Sequence, residues 1–268
     1  MNSSEKLNIA LIQSDLVWEN PEANRKLFEA KINTITNDVD LIVLPEMFST
    51  GFSMNASALA ETMEGETILW MQKMASEKSC AIVGSVIISE RPFSSTQDDN
   101  YYNRLLFLHP SGKIEFYDKR HTFTLAKENE VYSAGENKLI VDYKGWKICP
   151  LICYDLRFPV WSRNIENYDL LIYVASWPKV RIAAWDALLK ARAIENMSYT
   201  IGVNRIGTDA NDYEYVGHSA VYDYLGNSLS EENNKKEDII YLEIDKVTQQ
   251  NTRKKLGFLN DKDDFILK

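Results

Sequence analysis

A layered α/β domain is what this sequence predicts, and three observations predict it. Short runs rich in Ile, Leu and Val recur from one end of the chain to the other. Stretches of helical period separate some of them, and tight-turn signals join others directly. Several runs are apolar at consecutive rather than alternate positions, the pattern of strands covered on both faces.

The expected strands are 7–13, 40–46, 80–88, 103–110, 113–119, 138–143, 146–153, 169–175, 199–204, 217–224 and 238–245. Helices are expected over 21–37, where Asn20 can cap and Pro21 suits the first turn, and over 65–78 and 181–197. Pro110–Lys113 and Tyr143–Trp146 read as hairpin turns, and Leu225-Gly226-Asn227 as a reversal. Arg91–Asn100 and 230–238 are polar loops without linker character. Beyond about residue 252 the tail is polar with isolated aromatics, and is expected to pack on a partner subunit. The 268 residues are read as one domain, 1–268.

Composition narrows the function. The net charge is −9 and the pI about 5.0, so a phosphate backbone or an anionic membrane surface would be repelled; neither nucleic acid nor membrane is an expected partner. The amino terminus carries no signal-like or membrane-spanning apolar stretch, and the three cysteines form no even framework. A cytoplasmic protein with reduced thiols is expected. The histidines have no H-x-x-x-H spacing, the cysteines no C-x-x-C, and no phosphate-binding loop occurs, so no metal and no cofactor is expected.

Four residues carry chemistry, three of them at strand ends and the fourth, Glu128, nine residues after Lys119. Cys153 closes the run WKICPLIC and leads into Tyr-Asp-Leu-Arg-Phe-Pro, a strand-to-turn junction that resembles a nucleophile elbow; the Tyr154 N–H that follows can face an oxyanion. A strand cysteine ordinarily packs as a small hydrophobe, which is the reading for Cys80 and Cys149. Glu46 closes DLIVLPE at the sheet edge where α/β proteins place ligands, although a strand-end carboxylate is as often simply solvated. Lys119 and Glu128 would each be read alone as surface residues. Together they supply a nucleophile, a base and a cation. A thiol that is mostly protonated at neutral pH needs such a set.

At LPEMFSTGF (44–52), YDKRHTF (117–123) and LICYDLRFP (151–159) the sequence resembles the nitrilase superfamily of carbon–nitrogen hydrolases, over nearly its whole length. That resemblance implies a four-layer α-β-β-α sandwich, commonly paired as a homodimer, with the helix after Cys153 (about 157–165) and the carboxyl-terminal segment expected at the interface through Phe158, Trp161, Phe258 and Phe265. It implies a Glu46, Lys119, Cys153 triad, with Glu128 orienting the lysine or substrate and the Tyr154 N–H completing the oxyanion hole. The runs 153–164, 175–181 and 191–196 resemble the omega-amidase branch, which includes 2-oxoglutaramate amidases. The implied substrate is a small carboxamide of a 2-oxo acid. Arg181 would hold its carboxylate, Phe52 and Trp177 would form apolar walls, and Phe123 would narrow the pocket. Nitrile hydrolysis, N-carbamoyl amine hydrolysis and deaminated-glutathione amide hydrolysis are the alternatives on the same scaffold. A non-enzymatic binding role is disfavoured by the intact triad. A papain-like site would need a histidine placed by Asn or Asp, and the sequence shows no such setting for His109, His121 and His218.

Overall fold

The computed structural model describes residues 5–36, 38–90, 100–231 and 234–266. The expected loop 91–100 lies outside them except for its last residue, and the loop 230–238 is described apart from positions 232 and 233. In chain order the strands are β1 (Lys6–Gln13), β2 (Leu41–Val43), β3 (Ala81–Glu90), β4 (Asn100–Leu108), β5 (Ile114–Asp118), β6 (Val141–Tyr143), β7 (Trp146–Ile152), β8 (Leu170–Ala175), β9 (Tyr199–Asn204), β10 (Ile206–Thr208), β11 (Glu214–Val216), β12 (Ala220–Tyr222) and β13 (Asp238–Asp245). The helices are α1 (Pro21–Thr34), α2 (Ala56–Leu59), α3 (Glu66–Lys78), α4 (Glu128–Val131), α5 (Pro159–Ser162), α6 (Ile182–Asn196) and α7 (Lys246–Leu256).

Two sheets stack between helices as an α-β-β-α sandwich. One has the order β13-β1-β2-β3-β4-β5 and the other β12-β9-β8-β7-β6. Each has a parallel centre, β1-β2-β3 and β7-β8-β9, flanked by antiparallel strands. Alternation in β1 explains the layering. Ala10 and Ile12 pack with Phe28 and Ile32 of α1 and Met71 and Met74 of α3, whereas Leu7, Ile9 and Leu11 join the core shared with the second sheet. Trp185, Leu189 and Ala193 of α6 pack on that same core. Both faces of the central strands are therefore dry, which is why their sequences do not alternate.

The turns follow the expected chemistry. Asn20 Oδ1 accepts the Ala23 N–H at 3.1 Å ahead of Pro21. Lys144 and Gly145 have φ of 48° and 82°, the paired left-handed conformation of a type I′ hairpin.

The structure differs from the sequence reading at four places. The run 40–46 is strand only to Val43, because Pro45 has no N–H to continue the ladder. Helix α5 is a single turn rather than 157–165, since residues 153–157 form a 3₁₀ turn and Pro159 starts afresh. The hairpin β10-β11 was not expected at all. The tail contains α7, read from sequence only as polar chain. That helix docks through polar contacts rather than a buried apolar face: buried Asp169 accepts from Lys246 at 2.7 Å and Gln250 at 2.8 Å, and Arg253 donates to the Tyr168 and Met197 carbonyls. Of the aromatics offered for a subunit contact, Trp161 is spent inside this chain, its Nε1 donating to Tyr117 Oη at 3.0 Å, while Phe258 is 58% exposed. Among the described residues no helix is long and apolar enough to cross a membrane.

Candidate active site

The ends of β2, β5, β7 and β8 meet between the two sheets, and each delivers one polar group. Glu46 follows β2 and is fully buried. Its Oε1 accepts from Lys119 Nζ at 2.9 Å and from Asn103 Nδ2 at 2.8 Å, and its Oε2 accepts from the Ser176 N–H at 2.8 Å. Lys119, directly after β5, is 1% exposed and also reaches both oxygens of buried Glu128, at 3.0 and 2.9 Å. The ammonium is thus clamped by two carboxylates from separate segments. Burial works against its charge, but Glu128 and then Glu46 outweigh that, and its pKa is raised. Burial likewise pushes the Glu128 carboxyl up, with Lys119 opposing.

Cys153 sits where β7 breaks into the 3₁₀ turn. Its φ is +42°, a left-handed conformation that costs a non-glycine residue about 1–2 kcal/mol. Asp155 holds the strain in place. Its Oδ2 accepts the Ile152 N–H at 3.1 Å and Tyr117 Oη–H at 2.8 Å, and its Oδ1 accepts the His121 N–H at 3.0 Å and pairs with His121 Nδ1 at 2.7 Å. One buried carboxylate therefore ties the cysteine turn to the segment carrying Lys119. Burial pushes the Cys153 thiol well above its ordinary range, the Glu46 carboxylate adds to this, and Lys119 opposes it. The resting thiol is protonated at neutral pH, and the carboxylate it faces can accept that proton. Cys80 and Cys149 are 1% and 0% exposed within apolar clusters, and burial pushes the Cys80 thiol up to about 11.

A cavity of about 670 Å³ opens over the sulfur. Of the residues singled out from sequence, Phe52, Lys119, Phe123, Cys153, Tyr154, Trp177 and Arg181 line it; Glu46 and Glu128 lie behind, reached through Lys119. Lys119 Nζ stands 5.1 Å from the Phe52 ring centre, and the Arg181 guanidinium 5.1 Å from that of Phe123. Sequence reasoning missed Arg157, whose guanidinium lies 4.8 Å over Trp177 in the same cavity. It also missed Asn103, and the β10-β11 hairpin that supplies Asp209, Tyr213 and Tyr215 to the rim. Asn103 carried one signal: with Arg104 it opens the buried run of β4, whose other residues, 105–108, are apolar. Among the described residues, neither Arg157 nor Arg181 pairs with a carboxylate, and no group of three or more His, Cys, Asp or Glu is placed to hold a metal ion. The structure corrects the sequence reading for two histidines, since Asp155 pairs with His121 and Asp186 with His218, although neither histidine lines the cavity over Cys153.

Comparison with known proteins places the chain in a family. The carbon-nitrogen hydrolase family model matches residues 8–254, and the chain belongs to that family. It is an enzyme of the carbon–nitrogen hydrolase class, a nitrilase-superfamily amidase. It is 41% identical over 261 residues to omega-amidase YafV of Escherichia coli (strain K12), covering 97% of this chain and 98% of that one. It is 32% identical to the 2-oxoglutaramate amidase of Bacillus subtilis (strain 168), covering 96% and 97%. Among solved structures, XC1258 from Xanthomonas campestris, a CN-hydrolase superfamily protein with an arsenic adduct in its active site, superposes with a TM-score of 0.92 at 39% identity, covering 98% and 99%.

The clamp predicts a stability effect. Lys119→Met leaves two buried carboxylates without their shared cation, and urea unfolding should show a loss of about 3–5 kcal/mol. Adding Glu128→Gln removes one orphaned charge and should restore part of it. Strictly additive losses in the double variant would contradict the clamp.

Proposed function

We propose that the chain hydrolyses the terminal carboxamide of a short 2-oxo dicarboxylic acid, of the 2-oxoglutaramate or 2-oxosuccinamate type, to the acid and ammonia through a Cys153 thioester. The observation that carries the chemistry is the Lys119 ammonium fixed between Glu46 and Glu128 beside a protonated thiol that faces Glu46. In this reading Glu46 takes the thiol proton as the sulfur attacks the amide carbon. The Lys119 charge and the Tyr154 N–H stabilise the oxyanion, while Glu128 keeps the lysine charged and in place. Glu46 then returns the proton to the leaving nitrogen. The C–N bond breaks, ammonia departs, and a thioester remains. Water, deprotonated by Glu46, attacks the thioester and regenerates the thiol.

The substrate class rests on the relatives named omega-amidase and 2-oxoglutaramate amidase, and on the cations in the cavity. Arg181 and Arg157 are partly exposed, stacked on rings, and free to bind a carboxylate in the bidentate manner of a guanidinium. Phe52, Trp177 and Phe123 would flank the short chain of the substrate. The whole chain would act as one domain, in the reducing cytoplasm that its free buried thiols suit. A homodimer is proposed as well, using the face that carries α5 and the exposed Phe258 of the tail; a monomer by light scattering at micromolar concentration would remove that part.

Two sets of variants test the reading. Cys153→Ala should abolish ammonia release with the circular dichroism spectrum unchanged. Glu46→Gln, which keeps the shape but cannot take a proton, should lose at least about a hundredfold in kcat. Full turnover in either would sink the mechanism. Arg181→Ala should raise KM for a carboxylate-bearing amide by about ten- to a hundredfold, about 1.4–3 kcal/mol, and scarcely alter hydrolysis of a neutral amide of equal length. Equal losses on both substrates would count against the carboxylate role.

A further inference from the structure

Asn103 lies in β4, 1% exposed and opposite Ile87 of β3. Its backbone carbonyl accepts the Lys119 N–H at 3.0 Å. Its Nδ2 donates to Glu46 Oε1 at 2.8 Å and, with a longer contact of 3.3 Å, to Glu128 Oε1. Chemistry fixes the orientation of this amide, because two ionised carboxylates can only accept; the reverse rotamer would set a third oxygen against them. No protein group donates to Asn103 Oδ1, although it is buried. A side chain chosen only for packing would not leave an acceptor unmet in the core, where such groups are nearly always paired.

The pattern of donors on Glu46 shows what the contact achieves. Oε1 receives both Lys119 and Asn103, and Oε2 receives only the Ser176 N–H. Ser176 follows β8, which pairs in parallel with β7, the strand that runs into Cys153, so the oxygen that the Ser176 N–H holds lies toward the second sheet and its cysteine. Two donors on one oxygen fix the rotation of the carboxylate about its last bond and leave the other oxygen to exchange protons. Lys119 alone could not do this, since its three N–H groups are shared with both oxygens of Glu128 and the ammonium can turn about its own axis.

We propose that Asn103 is a positioning residue for catalysis: it pins Oε1 of Glu46 so that Oε2 faces the thiol and the leaving nitrogen, and it bridges Glu46 to Glu128 around the lysine. The inference rests on the reading of Glu46 as the base, and its test separates the two. Asn103→Leu removes the donor at nearly constant volume. With 2-oxoglutaramate as probe, kcat should fall by about ten- to a hundredfold, the span for losing a hydrogen bond to a charged group, with KM changed less than about threefold. Alkylation of Cys153 by iodoacetamide, followed by mass spectrometry, needs the same proton transfer but no substrate recognition, and should slow by a similar factor. Asn103→Ala also lacks the donor and adds no charge beside the two carboxylates; it should lose as much and serves if the leucine variant does not fold. In a Glu46→Gln background, Asn103→Leu should cost nothing further, because the carboxylate it pins is gone. Wild-type kcat and alkylation in both Asn103 variants, or additive losses in the double variant, would overturn the inference. Glu46→Gln that itself turns over normally would instead overturn the base assignment.

Discussion

A lysine ammonium removed from water needs charge around it, and here two carboxylates provide it. Lys119 is held by Glu46 and Glu128 at 2.9–3.0 Å, with all three side chains at 0–1% exposure. Desolvating three ionised groups is expensive, and a buried triad of this kind is rarely more stable than well-packed apolar residues of the same volume. Its persistence between the sheets points to chemistry rather than to stability. The sandwich is arranged to meet that demand. Glu46 comes from one sheet, the Ser176 N–H that satisfies its second oxygen comes from the other, and the two residues stand 130 positions apart in sequence. The stacking of the sheets is thereby registered at the site itself.

The second constraint is the left-handed Cys153. A turn of that conformation, placed where β7 ends, exposes the sulfur at the cavity floor while the strand behind it stays dry. Asp155 makes the strained turn tolerable by accepting hydrogen bonds from both sides, from Ile152 and from the segment of Tyr117 and His121. Arg192 of α6 adds a third tether by donating to the Leu156 carbonyl at 2.6 Å. The positions of the cysteine and the lysine are therefore set by one shared network. A shift in either segment is felt by the other.

The layered fold was legible because it is written in composition: strands dry on both faces leave apolar runs that survive any uncertainty about their ends. Glu46, Lys119 and Cys153 were legible for a different reason, since each directly follows such a run or closes it, and three motifs in order resemble one family. What stayed hidden depends on long-range partners. Asn103 looks like an ordinary strand residue until Glu46 and Glu128, 57 and 25 positions away, are seen to share its amide. Helix α7 has little apolar surface to announce it, because Asp169, 77 positions from Lys246, is what holds it. The β10-β11 hairpin has three-residue strands, too short for a period to show. It is ordered by Asp209, which accepts the Asn211 and Tyr213 N–H groups and Tyr215 Oη–H.

The electrostatics of the cavity run against those of the chain. A net charge of −9 would repel an anionic substrate at long range, yet that field is screened beyond about 8 Å at physiological ionic strength. Within that distance the local groups decide. Lys119 is already neutralised by its carboxylates and offers little net attraction to a distant anion. Arg157 and Arg181 are different: each lies over an aromatic face, which accommodates the cation without consuming its N–H groups. Their donors remain available while their positions are fixed. Asp209 and Glu19 at the same rim accept hydrogen bonds elsewhere, Asp209 within its hairpin and Glu19 from Ser53, and among the described residues neither forms an ion pair with Arg157 or Arg181. An acidic protein can in this way keep cations without counter-ions in its cavity, as the carboxylate-bearing substrate proposed above requires.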